Sequence, residues 1–119
     1  MKISLKNDTI TCVDENFTHK THLPLSTSFK EIEVLKDGRI LVCEDYYKFE
    51  YHGKSNIYCL NRTLDIDWFL ELPNPALEPD DVYVGFNTKG EKVCANSWTC
   101  FWVEIDLENG TIKDIAFTK

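Results

Sequence analysis

The sequence predicts an all-β protein in which antiparallel strands form one domain over residues 1–119. Apolar and polar residues alternate with a period close to two, as in Glu31-Ile32-Glu33-Val34, and this alternation is typical of a half-buried strand. Gly-containing turns separate the alternating stretches, and no stretch shows the spacing of an amphipathic helix. A composition of 43% hydrophobic and 13% aromatic residues supplies enough apolar area for a folded core.

A degenerate internal repeat organises the predicted strands. Residues 10–14 (ITCVD), 57–61 (IYCLN) and 102–106 (WVEID) are β-rich pentamers that end in an apolar residue followed by Asp or Asn. A turn and a second apolar strand follow each pentamer. A strand, a Gly-containing turn and another strand precede the two later pentamers, at residues 34–43 and 86–94. Such a repeated order predicts duplicated units of about four strands each.

The turns and the cysteines fit this repeat. Asp37-Gly38 predicts a tight hairpin, because both residues tolerate a positive φ. The alignment of the units pairs four of the cysteines, Cys43 with Cys94 and Cys12 with Cys59. The pairing favours packing roles for these thiols over reactive ones. The odd count of five cysteines, without C-x-x-C spacing, favours free thiols over disulfides.

The repeat also sets the expected organisation of the chain. We expect a half unit at residues 1–25, whole units at residues 29–72 and 82–118, and a linker at residues 73–81. The linker contains three prolines, and a proline cannot donate to a strand ladder. It is therefore not expected to form a central strand.

The order of elements in a unit resembles a known type of blade. A strand, an Asp-Gly turn, a second strand, a loop, Ile-Tyr-x-Leu-Asn and a closing strand with Trp are similar to the four-stranded blades of quinoprotein-type and related β-propellers. The resemblance covers most of residues 29–118. Because closed propellers have at least four blades, it implies either an open, sandwich-like half-propeller or a ring assembled from several chains, and so a possible homo-oligomer.

Charge and hydropathy exclude some classes of partner. The net charge is −7 with a pI near 4.9, and residues 61–119 carry eleven acids against five bases. This balance disfavours nucleic acid, which needs clustered Lys and Arg, and it would attract a basic protein. No apolar run approaches the ~18 residues of a membrane span, and the first residues lack the apolar region of a signal peptide. A cytoplasmic location is expected.

A few side chains are of types that can catalyse reactions or bind metals, but their patterns favour ordinary roles. On a strand His19 and His22 would point to opposite faces, so no metal site is expected. Asp65 and Asp67 share a face, and a similar pair of acids recurs in the next unit, which favours a solvated strand face. Cys100 has apolar neighbours, which favour an unreactive thiol. No nucleotide-binding or hydrolase motif occurs, so no cofactor and no enzymatic activity are expected.

Two segments stand out as a candidate partner-binding surface. Residues 44–54 form an insertion relative to the later unit and place aromatic residues among acids, and such aromatics mark protein interfaces. The alternative is a long hairpin whose aromatics pack on their own sheet. The linker adds a cluster of acids that could dock on a basic protein. The predicted binding residues are Glu44, Asp45, Tyr46, Tyr47, Phe49, Tyr51, Glu78, Asp80, Asp81 and Trp98.

Three functions are compatible with these observations. The first is a non-enzymatic acidic binding module, most concretely a cytosolic immunity protein that neutralises a basic toxin such as a nuclease. The second is a self-associating propeller subunit that binds a small ligand at the ring axis. The third is a hydrolase that uses Asp65 and Asp67, or Cys100, which would require a concave pocket with converging polar groups.

Overall fold

The computed structural model describes residues 2–118, which form eleven antiparallel strands in three sheets. The first sheet contains Lys2–Lys6 (β1), Thr9–Val13 (β2) and His19–His22 (β3). The second contains Phe29–Val34 (β4), Ile40–Glu44 (β5), Ile57–Leu60 (β6) and Ile66–Phe69 (β7). The third contains Tyr83–Lys89 (β8), Lys92–Ser97 (β9), Phe101–Ile105 (β10) and Ile112–Phe117 (β11). The predicted all-β class is confirmed.

Each sheet is a simple meander in which neighbouring strands follow one another along the chain. Tight turns join the strands, and Gly38, Gly90 and Gly110 adopt positive φ values of 90°, 62° and 77° there. Glycine has no Cβ, so it takes this conformation without steric cost. The strands between these turns alternate in burial where only one face of a sheet is covered. Within residues 2–118 there is no helix long and apolar enough to cross a membrane.

The sheets pack face to face, and two apolar clusters fill the spaces between them. The first cluster joins the first and second sheets through Ile10, Cys12, Ile40, Val42, Tyr58, Leu60 and Leu64. The second cluster joins the second and third sheets through Leu41, Cys43, Ile57, Cys59, Trp68, Leu70, Tyr83, Phe86, Val93, Ala95, Val103 and Ile105. The second sheet is therefore covered on both faces. Its central strands β5 and β6 are buried at every residue.

Buried polar side chains lock the second sheet to the third. The Asn56 amide is fully buried; its nitrogen donates to the Tyr83 carbonyl at 2.8 Å, and its oxygen accepts from the Tyr83 N–H at 2.7 Å. The Trp68 indole donates to the Leu107 carbonyl at 3.2 Å. A Cβ built on Gly110 would lie 2.4 Å from the Trp68 ring, so this turn can approach the indole only as glycine.

The outer faces of the stack are polar. On the first sheet, Lys2, Ser4 and Lys6 lie on the face turned away from the second sheet, because their neighbours Ile3 and Leu5 pair with the core residues Cys12 and Ile10. The outer face of the third sheet carries the exposed polar residues Asn87, Lys89, Lys92, Asn96 and Asp114, together with the half-buried Trp102, which pairs with Asn96. Polar outer faces are typical of terminal units in repeat architectures.

The strand register corrects one alignment made from sequence. Cys12 of β2 and Cys59 of β6 each lie in the apolar cluster between their own sheet and the next one, as the repeat predicts. Cys94, however, pairs with Glu104, whereas the residue that pairs with Cys59 is Leu41. Cys94 therefore corresponds to Leu41 and not to Cys43. The two hairpins have different lengths, and a count from the turn glycine does not carry the pairing register.

Candidate functional site

The insertion after β5 and the linker after β7 meet on one side of the molecule. They line a groove of about 540 Å³ whose walls are residues 48–51, 53 and 54 of the insertion and residues 79–81 of the linker together with Val82. Phe49 and Tyr51 lie on one wall, and Asp80 lies on the other. The two segments that stand out in the sequence, about 30 residues apart, are therefore parts of one site.

Further aromatic side chains lie on residues next to this groove. The ring of Tyr46 stacks on the indole of Trp98 with a centroid separation of 5.5 Å and an interplanar angle of 29°. Trp98 nevertheless stays 63% exposed and Tyr47 stays 69% exposed. A large aromatic surface at this degree of exposure has contact area to lose on binding, and Tyr and Trp are the side chains that most often dominate interfaces.

Lysines lie over some of the rings. The Lys30 ammonium lies 5.4 Å from the Tyr46 centroid, and the Lys48 ammonium lies 5.5 Å from the Tyr47 centroid. These are cation–π distances. One aromatic residue of the insertion packs on its own sheet instead: the ring of Tyr51 stacks on Phe69 of β7 with a centroid separation of 5.8 Å. For this residue the alternative of a self-packed hairpin holds.

Carboxylates lie on the same two segments of the chain as the groove. Glu50, Glu78 and Asp80 are exposed, and Asp45 is partly exposed. Among residues 2–118, none of these four carboxylates lies within ion-pair distance of a basic side chain. We name the set of Asp45, Tyr46, Tyr47, Phe49, Glu50, Tyr51, Glu78, Asp80 and Trp98 the aromatic–acidic surface.

Glu44 is a correction to the predicted site, because its side chain lies in the interior. It is 0% exposed. Its carboxylate accepts hydrogen bonds from the backbone N–H groups of Leu25, Ser26 and Thr27 at 2.7, 3.0 and 3.1 Å, and a further one from the Tyr58 hydroxyl. Four donors of this kind compensate the burial of a charge. Glu44 is thus an anchor of the segment that joins the first and second sheets and cannot touch a partner.

That anchored segment in turn holds the insertion. The Thr27 hydroxyl donates to the Asp45 carbonyl at 2.7 Å, and the Asp45 N–H donates to the Ser28 carbonyl at 2.7 Å. The Ser26 hydroxyl accepts the Glu50 N–H at 2.9 Å. Both ends of the exposed part of the insertion are fixed to a segment that the buried carboxylate holds. The aromatic–acidic surface is therefore preorganised, which lowers the entropy lost on binding.

Asp81 is the second correction. It is 7% exposed, and its carboxylate accepts from the Thr99 hydroxyl at 2.6 Å and from the Val82 N–H at 2.9 Å. The Trp98 N–H donates to the Val82 carbonyl at 2.8 Å. These bonds join the linker to the turn that carries Trp98. Asp81 borders the groove, but its carboxylate is engaged within the chain and holds the linker in position.

Two hydrogen bonds join the half-buried His22 to the buried carboxylate of Glu44 through the Tyr58 hydroxyl. His22 Nε2 lies 2.8 Å from the Tyr58 hydroxyl, which donates to Glu44. Burial lowers the pKa of His22 from its ordinary 6.5, and the negative charge of Glu44 opposes part of that shift. Burial and the bond to Glu44 raise the pKa of Tyr58. The neutral forms of His22 and Tyr58 are therefore the forms that the fold favours.

The other residues that the sequence singled out as candidates for catalysis or metal binding are not grouped together. Asp65 is exposed and accepts from the Thr63 hydroxyl at 2.8 Å, whereas the Asp67 carboxylate lies 3.5 Å from the Arg39 guanidinium. Cys100 is partly exposed in a turn, and His19 is exposed. Across the described part of the chain, no three His, Cys, Asp or Glu side chains are grouped as metal ligands would be.

Sequence reasoning missed Tyr58 as a donor to Glu44, and His22 as the partner of Tyr58. These residues are separated from Glu44 by 14 and 22 positions, and the Tyr58–His22 contact spans 36. One signal was available: Glu44 continues a run of four apolar residues in β5, and an acid that ends a buried run must find donors. The identity of those donors depends on how the sheets pack.

Comparisons with known proteins agree with the fold. Residues 8–117 match the family model described as Domain of unknown function (DUF7957). No curated protein matches the chain in sequence. Among solved structures, that of BamB from Moraxella catarrhalis is similar in fold to this chain, with a TM-score of 0.56 and 13% sequence identity. The alignment covers 99% of this chain but spans only 35% of the BamB chain. BamB is a β-propeller, so the likeness supports a propeller-like arrangement of the sheets.

Proposed function

We propose that this chain, which belongs to the family described as Domain of unknown function (DUF7957), is a non-enzymatic module that binds a basic protein. The proposed interface is the aromatic–acidic surface. One observation carries the proposal: the rings of Phe49 and Tyr51 and the carboxylates of Glu50 and Asp80 line one groove, and hydrogen bonds fix its two walls to neighbouring segments. This combination provides hot-spot side chains, a charge to be matched and little loss of conformational entropy on binding.

The charge of the chain supports a basic partner. The net charge is −7, and the exposed acids Glu50 and Asp80 line the same groove as the rings of Phe49 and Tyr51. Lys48 and Lys54 lie over aromatic rings at 5.5 and 5.9 Å, so their ammonium groups are not held by these acids. The net negative charge of the chain accelerates encounter with a basic partner, and this acceleration falls as salt rises.

The most concrete form of the proposal is a cytosolic immunity protein that neutralises a nuclease toxin. A nuclease active site carries a positive potential because it holds phosphates. Carboxylates around a rigid aromatic patch can bind at that positively charged site in place of phosphates, and the rings can cover the cleft. The absence of a recognisable catalytic motif in the sequence is consistent with a protein that acts only by binding.

The two alternatives receive less support. A half-propeller that self-associates into a ring would join the outer faces of the first and third sheets, and these faces carry Lys2, Lys6, Lys89 and Lys92. Like charges across an interface oppose such a contact. A hydrolase would require Asp65 and Asp67 to act on one substrate, and Asp67 is already paired with Arg39.

Affinity capture followed by calorimetry tests the proposal. The tagged chain is used to capture proteins from its host at low salt, and the captured basic protein is purified and titrated. The variant Tyr47→Ala/Trp98→Ala should weaken binding about 30-fold or more, as expected when hot-spot aromatics are lost. Phe17→Ala is the matched control, because Phe17 is an aromatic residue that is 81% exposed in the turn between β2 and β3, outside the proposed interface.

Charge provides the second readout. The variant Glu78→Gln/Asp80→Asn should slow association and flatten the dependence of the rate on salt. For the immunity form, the product of the open reading frame next to the gene is assayed as a nuclease with and without the chain. Equal weakening by Phe17→Ala, or binding without salt dependence, would refute the proposal. A neighbouring nuclease that the chain leaves fully active would refute the immunity form.

A further inference from the structure

The first sheet lacks one strand of the pattern that the other two sheets share. The second and third sheets each have four strands, whereas β1, β2 and β3 form a sheet of three. Ile3 of β1 pairs with Cys12 in the way that Leu41 of β5 pairs with Cys59. β1 therefore corresponds to β5, and within residues 2–118 nothing in the first sheet corresponds to β4. One edge of β1 has no neighbouring strand there.

The two complete sheets show what belongs at that edge. Their first strands, β4 and β8, lie side by side: the Lys30 ammonium donates to the Val84 carbonyl, and the Phe86 N–H donates to Glu31 at 3.4 Å. A first strand in the first sheet would lie beside β4 in the same way. Asp8 supports this geometry, because its carboxylate accepts the Phe29 N–H at 3.0 Å and holds the turn after β1 against the start of β4.

Apolar side chains border the open position. Leu5 pairs with the buried Ile10, so its side chain faces the second sheet. Val34 pairs with the buried Ile40, so its side chain faces the first sheet. They are nevertheless 45% and 50% exposed. Cys43, which corresponds to Leu5 in the second sheet, is 0% exposed because β4 lies beside β5. A strand beside β1 would bury both apolar groups.

We propose that the free edge of β1 binds an extended segment of a partner protein by strand addition, in the antiparallel sense of β4 on β5. The backbone ladder supplies affinity, and alternate side chains supply specificity. Residues of the segment opposite Ile3 and Leu5 face the second sheet and are apolar. Those opposite Lys2 and Lys6 lie on the outer face and are acidic. The recognised pattern is acidic, apolar, any residue, apolar, acidic.

The lysines also select against a second copy of this chain. Two β1 strands paired edge to edge would bring Lys2 and Lys6 of one copy opposite the lysines of the other, and like charges directly opposite are unfavourable. Lysine on an exposed edge strand is a common device against self-pairing. An acidic segment converts the same lysines into attractive cross-strand partners. The site lies on the first sheet and is independent of the aromatic–acidic surface, so either proposal can fail alone.

A peptide titration followed by amide chemical shifts tests this site. The probe is the capped heptapeptide GEVTVEG, with GKVTVKG as the charge-reversed control. GEPTVEG is a second control, because its proline stands opposite Leu5, where the N–H of an added strand points at β1 and donates to the ladder. We expect GEVTVEG to shift the amides of residues 2–6 and of Ile32 and Val34. Each control peptide should bind about tenfold more weakly or not at all.

A charge swap in the protein completes the test. Lys2→Glu/Lys6→Glu should reverse the preference so that GKVTVKG binds better than GEVTVEG. Lys89→Glu/Lys92→Glu makes the same change of net charge on the exposed third sheet and should leave the preference unchanged. Shifts on β11 instead of β1, equal binding of all three peptides, or no binding would overturn the proposal. A dimer whose β1 amides are protected would overturn it in favour of a second copy.

Discussion

The buried carboxylate of Glu44 allows a quantitative test of how the structure holds its proposed binding surface. We consider the substitution Glu44→Gln, which keeps the shape of the side chain but leaves only one acceptor oxygen. In the native protein the two oxygens accept three backbone N–H groups and the Tyr58 hydroxyl. Glutamine can satisfy the donors at one oxygen position, and its NH₂ group must face the donors at the other.

The expected loss follows from these bonds. At least one buried backbone N–H loses its acceptor, which costs about 1–3 kcal/mol. The remaining bonds lose the charge of the acceptor, which removes about 1 kcal/mol each. Relief from burying a charge acts in the opposite direction. We expect a net loss of about 2–3 kcal/mol in the free energy of unfolding and a fall in Tm of about 10 °C.

Thermal and urea unfolding measure this loss, and Glu50→Gln in the same exposed insertion is the control. Glu50 is exposed, so its substitution should change stability by no more than about 0.5 kcal/mol. Amide exchange supplies a local readout, because the N–H groups of residues 25–27 should lose protection in Glu44→Gln. A loss of stability equal to that of Glu50→Gln would show that the carboxylate does not hold the segment, and the argument for preorganisation would fail.

Three further predictions concern single groups. Burial lowers the pKa of His22, so the unfolded chain binds more protons than the folded one: stability should fall as pH drops below about 6.5, and His22→Gln should remove that slope in urea titrations. Gly110→Ala should lower Tm far more than Gly53→Ala, since both glycines have positive φ but only Gly110 packs against an indole; equal effects would contradict the packing argument. Burial raises the pKa of Cys59 to about 11, so at pH 8 a thiol reagent should modify the partly exposed Cys100 first, and fast labelling of Cys59 in the folded protein would contradict its burial.

The sequence was a good guide wherever the relevant interaction is local. Alternation of apolar and polar residues depends on the pleat of a single strand, so the strand class could be predicted. Turn glycines such as Gly38 depend on the φ of one residue. The alignment of Cys43 with Cys94 was wrong because pairing register is a relation between two strands, and hairpins of different length shift it.

The candidate site divides in the same way. Composition marks residues 44–54 and 73–81 as unusual, and the structure brings parts of both segments to one groove. The sequence could not separate the acids that face solvent from those that hold the surface in place. Glu44 and Asp81 look like their exposed neighbours Asp45 and Asp80 until their donors are known.

The sequence by itself determined the all-β class, the repeated strand order and the acidic, aromatic character of the loops, because these depend on residue type and short spacing. Only the tertiary structure decided which acids are buried, which rings stay exposed and which strand edge is left open. Those properties depend on donors and neighbouring strands that lie many residues away. The donors to Glu44 lie 14 to 19 residues from it, and no local pattern records which backbone groups the packing of the sheets will bring there.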